Sequence, residues 1–349
     1  MENKDYSKID WQEVRSHYPA CREQAYFISA SVGPLHDYVY SAWSRHIENL
    51  YLNGDIHWQE NLVLREECRN TVARFLNTEP SNIGFSPNTS HNMNLLAMML
   101  KKENEDKKGV FQSLFKTQKK NIITLADEFP STVLPWYHHG FNVEKVESEN
   151  GFVNINKIIE LTDNQTIAVV ISAVQFSTGF RADINTLGKV LAEKNIYFIV
   201  NATQAIGAWS VSVNDAKVSA LSASCHKWIG AGFSGSILYT SPEFRKLHLP
   251  PMIGWLSVEN PLLMRNEPQK PNSGCSSIET GILPFSALAA IKAAFEVIIE
   301  IGIENIARRI FYLSNILMEK LKELPLKIIT TRDNSTDYND SINSGIISI

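Results

Sequence analysis

Apolar and polar positions fall in blocks along this chain. From about residue 60 to 245, short apolar runs alternate with segments whose apolar positions recur every three or four residues. That rhythm predicts a mostly parallel α/β sheet. Thr166–Ser172 (Thr-Ile-Ala-Val-Val-Ile-Ser) is apolar on consecutive positions, as expected of a strand covered on both faces. Ile122–Leu125, Ile196–Val200 and Ser236–Tyr239 read as further strands. Asp183–Glu193 reads as a helix, with Asp183 as its cap and Ile184, Leu187 and Leu191 on one face. Ser241-Pro242-Glu243 reads as another helix start. Pro87-Asn88-Thr89-Ser90 precedes a helix over residues 90–100. Beyond residue 250 the texture changes. A loop rich in Pro, Asn and Ser (residues 256–277) precedes two predicted helices, Pro284–Ile301 and Glu304–Glu323. Ser344–Ile349 reads as a strand in mid-course.

Composition narrows the class. With 349 residues, 44% hydrophobic and 20% charged, the chain has the makeup of an ordinary globular protein of two domains, or one large domain with an elaboration. A net charge of −4 does not point to nucleic acid or an acidic membrane as partner. Lys101–Lys120 is rich in lysine, but Glu103, Glu105 and Asp106 are interleaved, so it reads as a solvated loop. No apolar run reaches the ~18 residues of a membrane span, and Met1–Asp10 lacks the apolar stretch of a signal peptide. The four cysteines, Cys21, Cys68, Cys225 and Cys275, are widely spaced and form no CxxC pair. Neither a disulfide scaffold nor a zinc ribbon is expected, and no metal. The expectation is a soluble protein of a reducing compartment, the cytoplasm.

The sharpest chemical feature is Ser224-Cys225-His226-Lys227-Trp228, followed by a loop of small residues (Gly230–Ser236). A lysine kept out of bulk solvent has a lowered pKa and becomes nucleophilic, as Schiff-base chemistry requires. Alone, Lys227 reads first as a surface lysine. Asn201-Ala202-Thr203-Gln204 follows a strand, at the carboxyl edge where α/β sheets bind ligands. Thr89 and Ser90 at a helix start suit a phosphate, or a plain cap. Phe129 in Glu128-Phe129-Pro130-Ser131 suits a flat ring, or a core; Ser224 is otherwise a loop hydroxyl.

Taken together, these segments resemble the class V aminotransferase family of pyridoxal-phosphate (PLP) enzymes, in its isopenicillin N epimerase-like and cysteine desulfurase-like branches. The resemblance starts at Tyr26–Leu35 and Pro87–Ser90, and continues through Phe129–Ser131, Val174–Gly179 and Asn201–Gln204. It then takes in Ser224–Trp228 and Gly254-Trp255 and ends at Glu279-Thr280-Gly281. It implies a PLP fold-type I α/β protein. Residues 40–250 would form the large cofactor-binding domain with a mostly parallel mixed sheet. Residues 1–39 and 251–349 would form a smaller α+β domain. It implies PLP as cofactor, a small amino acid as substrate and a homodimer. Lys227 would form the Schiff base and move the substrate's α-proton. Thr89, Ser90, Ser224 and His226 would hold the phosphate. Phe129 would stack on the pyridine ring, and Gln204 would meet the ring hydroxyl, with Gln175 nearby.

The chain also departs from the family pattern. Asn201 stands where the family has an aspartate paired with the ring nitrogen; each unit by which the nitrogen's pKa falls is about 1.4 kcal/mol of lost preference for the charged ring. Ala173, Ile282, Ser234 and Ser236 are unusual at their positions. A desulfurase thiol is expected well after the lysine; Cys275 lies in a flexible loop but too early in the order, and both it and Cys225 read first as packed, structural cysteines. Measured against the family, the small domain reads as incomplete after Ile349. Three functions are therefore open: a class V aminotransferase-like enzyme, a cysteine desulfurase or selenocysteine lyase-like enzyme, and a non-catalytic paralogue.

Overall fold

The computed structural model describes residues 9–106, 120–149, 151–330, 332–333, 335, 337–338 and 341–349. Most of the lysine-rich segment, residues 107–119, lies outside them.

Seven strands form one sheet: β1 (Ile83–Ser86), β2 (Asn121–Leu125), β3 (Asn142–Val146), β4 (Thr166–Ser172), β5 (Tyr197–Asn201), β6 (Ala220–Ser224) and β7 (Ser236–Thr240). Their order is β1-β7-β6-β5-β4-β2-β3. Neighbours from β6 to β3 run parallel, while β7 is antiparallel to both β6 and β1. The sheet is thus mixed and mostly parallel, as the block pattern predicts. Every residue of β4 is buried. Its side chains alternate between two cores, Val169 and Ile171 on one face and Ala168 and Val170 on the other. That is why no polar residue interrupts its interior.

Helices cover both faces. α4 (Thr89–Asp106), α5 (Pro130–His138) and α8 (Pro242–Leu247) supply Leu96, Trp136 and Phe244 to one core. α3 (Trp58–Phe75), α6 (Ile155–Leu161), α7 (Ile184–Glu193) and α9 (Phe285–Ile301) supply Val72, Ile158, Leu187 and Phe295 to the other. Each such side chain, fully buried, stabilises the fold by about 1.5–3 kcal/mol. The expected cap of α7 forms, with Asp183 accepting the Thr186 N–H at 3.0 Å, and Ser241 caps α8 in the same way. α10 (Ile303–Lys322) follows α9 after Gly302. α1 (Trp11–Ser16) and α2 (Asp37–Asn53) complete the helices among the described residues. α9 packs against α2 and α3, so apolar residues from Val39 to Ile346 share one core.

Two sequence expectations change. α4 continues to Asp106, so the loop read from Lys101 begins as helix. Ser344–Ile349 forms no strand. Ser348 O accepts from Ile329 N (2.9 Å), but Ser344 Oγ bonds the Ile346 N–H and Ser348 Oγ the Ser177 carbonyl. Ser344 thus bonds the backbone locally, in competition with a sheet ladder, while Ser348 ties the segment to the loop after β4. Among the described residues no helix is long and apolar enough to cross a membrane.

Candidate active site at the carboxyl edge of the sheet

Sheet order β6-β5-β4-β2 places the carboxyl ends of four parallel strands side by side. From them come, in that order, Ser224 to Lys227, Asn201 to Gln204, Gln175, and Glu128 to Phe129. Residues distant in the chain meet here because parallel strands put all their carboxyl ends on one edge.

Lys227 lies just past β6. Its Nζ sits 5.6 Å from the centroid of the Phe129 ring. No carboxylate among the described residues pairs with it. Burial pushes its amine below the ordinary lysine range. His226 beside it is lowered by burial and then by the Lys227 charge. The loop is braced from the N-terminal segment. Gly33 N donates to His226 O at 2.8 Å. A Cβ on Gly33 would fall 2.1 Å from the Lys227 carbonyl oxygen, so only glycine fits. Gln204 is part of this brace. Its Nε2 donates to Ala30 O (2.9 Å) and its Oε1 accepts from Trp228 Nε1 (2.8 Å).

At the start of α4 the hydroxyls form a cluster. Thr89 Oγ1 lies 2.9 Å from Ser224 Oγ and 3.1 Å from Thr203 Oγ1. Ser90 stands apart from it, exposed and bonded to Ser131 Oγ at 2.7 Å. Hydroxyls and free amides at the start of a long helix suit a phosphate.

Glu128 to Thr132 is the hub, and sequence reading missed most of it. Glu128, buried, takes hydrogen bonds from Ser172 and Gln175. Burial raises its pKa; those bonds, with one from the Phe129 backbone, oppose the rise. Phe129 is 40% exposed, with Phe176 edge-on at 5.2 Å. Thr132 Oγ1 accepts from Asn201 Nδ2 at 2.9 Å. Glu128 and Thr203 were visible as residues of quoted motifs. Nothing in the sequence indicated their partners, 44 and 114 positions away.

The cysteines do not reach this site as a flexible thiol would. Cys275 sits in a helical turn (Cys275–Ile278), 1% exposed, with its Sγ against the Leu238 carbonyl. Burial pushes its thiol up to about 11, and that of Cys225 up to about 12. Burial of both thiols agrees with their reading as packed, structural cysteines; the segment around Cys275 is a turn buried against β1 and β7, not a flexible loop, and Cys275 belongs to the core. Cys68 is also buried, and Cys21 lies partly exposed near the N-terminus.

The polar set fits PLP. A half-buried amine lies beside an open aromatic face, with a hydroxyl cluster at a helix start. Gln175 Oε1 is a buried acceptor with no partner among the described residues.

Comparison with known proteins agrees with this geometry. The family model described as aminotransferase class-V matches residues 26–346. An uncharacterised protein of Schizosaccharomyces pombe is 26% identical over 79% of this chain and 62% of its own length. A probable cysteine desulfurase of Pyrococcus abyssi is 26% identical over 90% of this chain and 77% of its own. The chain thus spans about two thirds to three quarters of these relatives. The apo structure of a cysteine desulfurase from Thermococcus onnurineus superimposes with a TM-score of 0.81 at 23% identity, covering 98% of this chain and 82% of that one.

Proposed function

Because the chain belongs to the aminotransferase class-V family, we propose that it is a PLP-dependent enzyme acting on a small amino acid, with cysteine the first candidate, through covalent attachment of the cofactor to Lys227. The observation that carries this reading is the Lys227 amine. It is lowered by burial, faces Phe129, and stands among polar groups from four strand ends. Bound there, PLP supplies an electron sink that loosens the bonds at an amino acid's α-carbon. Lys227 would hold the cofactor and carry the α-proton. Thr89, Ser224 and His226 would hold the phosphate, with Ser90 at its margin. Phe129 would cover one ring face, and Asn201, Gln175 and Gln204 would line the ring edge. The test is a change in the cofactor's own absorption, visible or near-ultraviolet, on adding PLP and a borohydride-trapped adduct on Lys227. A chain showing neither is not this enzyme.

Cysteine is favoured by the desulfurase relatives. The buried cysteines argue that the sulfur leaves without Cys275. Cys275→Ala is expected to leave sulfide release from cysteine unchanged, at a stability cost of about 1 kcal/mol. Abolished release would restore Cys275 as the acceptor.

Asn201 supports a second reading, a chain that keeps the fold and has lost turnover. Asn201→Asp is expected to raise turnover roughly tenfold or more, since one unit of ring-nitrogen pKa corresponds to about 1.4 kcal/mol. No turnover in either form favours the non-catalytic reading. A second copy of this chain is the proposed partner. Tyr40, Trp43, Ile47, Leu50 and Tyr51 leave an exposed apolar stripe along α2.

A further inference from the structure

The orientations of two side-chain amides at the proposed ring edge are set by the protein alone. Asn201 Oδ1 accepts the backbone N–H of Thr203 at 3.1 Å. A backbone N–H only donates, so the oxygen must lie there. Nδ2 then faces Thr132 Oγ1 with one N–H to spare. Asn201 offers a ligand a donor and no charge. An unprotonated ring nitrogen can accept that donor, whereas a protonated one would set N–H against N–H.

Gln175 is set by Glu128. Glu128 Oε1 accepts the Ser172 N–H at 2.5 Å and so serves as the carbonyl-type oxygen of the carboxyl, the better acceptor of the two. Any proton would sit on Oε2, which lies 2.6 Å from Ser172 Oγ. Gln175 must therefore present its NH2 to Oε1, which it does at 2.8 Å. Its own Oε1 is left as a buried acceptor, 2% exposed and without a partner. A buried acceptor of this kind waits for a donor. A ring hydroxyl can donate; a phenolate cannot. The hydroxyl can at the same time accept the second N–H of Gln204, whose first goes to Ala30 O.

We infer that this chain holds the cofactor ring in its neutral form, with the nitrogen unprotonated and the ring hydroxyl protonated, and that Glu128 is the positioning residue that sets the Gln175 amide. The inference rests on the PLP reading above and sharpens it, because a neutral ring is a weaker electron sink. It favours substrates whose leaving group departs readily over slow transfer of an amino group.

The experiment reconstitutes the full chain with PLP labelled with ¹⁵N at the ring nitrogen. The expected ¹⁵N shift is that of a free pyridine, moving to that of a pyridinium in Asn201→Asp. The absorption spectrum is expected to be dominated by the shorter-wavelength band of the hydroxy form. Glu128→Ala and Gln175→Leu should each move intensity to the visible band, while Glu128→Gln, which can keep an acceptor against the Ser172 N–H, should retain the parent spectrum. A pyridinium shift in the parent chain overturns the neutral ring. Unchanged spectra in both Glu128→Ala and Gln175→Leu overturn the role of Glu128. A chain that takes up no cofactor overturns this inference and the proposed function together, whereas uptake as a pyridinium overturns only the former.

Discussion

Lys227→Ala is expected to abolish the borohydride-trapped adduct and to reduce turnover to background, with the fold retained. The side chain makes no ion pair among the described residues, so its removal leaves no buried charge behind. The backbone contacts of the loop, Gly33 N to His226 O and Gly230 N to Lys227 O, remain. The reactivity of Lys227 also has a signed pH dependence. Burial disfavours the ammonium, so its pKa lies below that of ordinary lysine. The free amine is the nucleophile. The rate of cofactor capture should therefore rise with pH and level off at a lower pH than capture by surface lysines. Following adduct formation against pH checks this. A plateau only in the ordinary lysine range would mean that the amine is fully solvated.

Glu279→Ala is expected to destabilise the fold by about 3–5 kcal/mol, the cost of leaving one member of a buried ion pair alone. Arg69 on α3 grips Glu279 with both terminal nitrogens, at 2.9 and 3.0 Å. The two side chains are only 4% and 1% exposed. Glu279 Oε1 also accepts the Phe85 N–H of β1 at 3.0 Å. Removing the carboxylate leaves the buried guanidinium with only the exposed Glu66 as counter-charge, and a backbone donor unpaired. Against a total stability of about 5–15 kcal/mol, this takes a third or more. The exposed partner of Arg69, Glu66, should matter far less: Glu66→Ala is expected to cost at most about 1 kcal/mol. Urea unfolding of the two variants checks the contrast, and equal losses would sink it. The pair also serves the site. β1 leads directly into Pro87, Asn88 and the start of α4, so Glu279 anchors the strand that positions Thr89.

Glu279 shows how far one sequence carries the reading. Its place within Glu279-Thr280-Gly281 marks the family pattern, but its task is invisible, because Arg69 lies 210 residues away. The same holds for Gln204. Its position after β5 is legible; its use in tying Ala30 and Trp228 together is not. α2 and α3 went unread because their polar faces are broad and α2 leaves much of its apolar face exposed. β3 is a short edge strand carrying Glu144 and Lys145, and charge at an edge hides the strand signal.

The sequence by itself determined the elements whose cause is local. The unbroken apolar run of β4 and the Asp183 and Ser241 caps each depend on neighbours within a few residues. It also singled out Lys227, Asn201 and Phe129, the residues proposed to carry the chemistry, at the carboxyl ends of the strands they follow. Only the tertiary structure decided what those residues face. The direction of an amide depends on which group it meets: Asn201 meets the Thr203 N–H two residues on and Thr132 of α5, and Gln175 meets Glu128 from beyond another strand. The same is true of Cys275: the chain around it reads as a loop, and the packing of that turn against β1 and β7 places its thiol in the core. Burial and hydrogen-bond partnership are set by the whole sheet closing, and no local pattern encodes them.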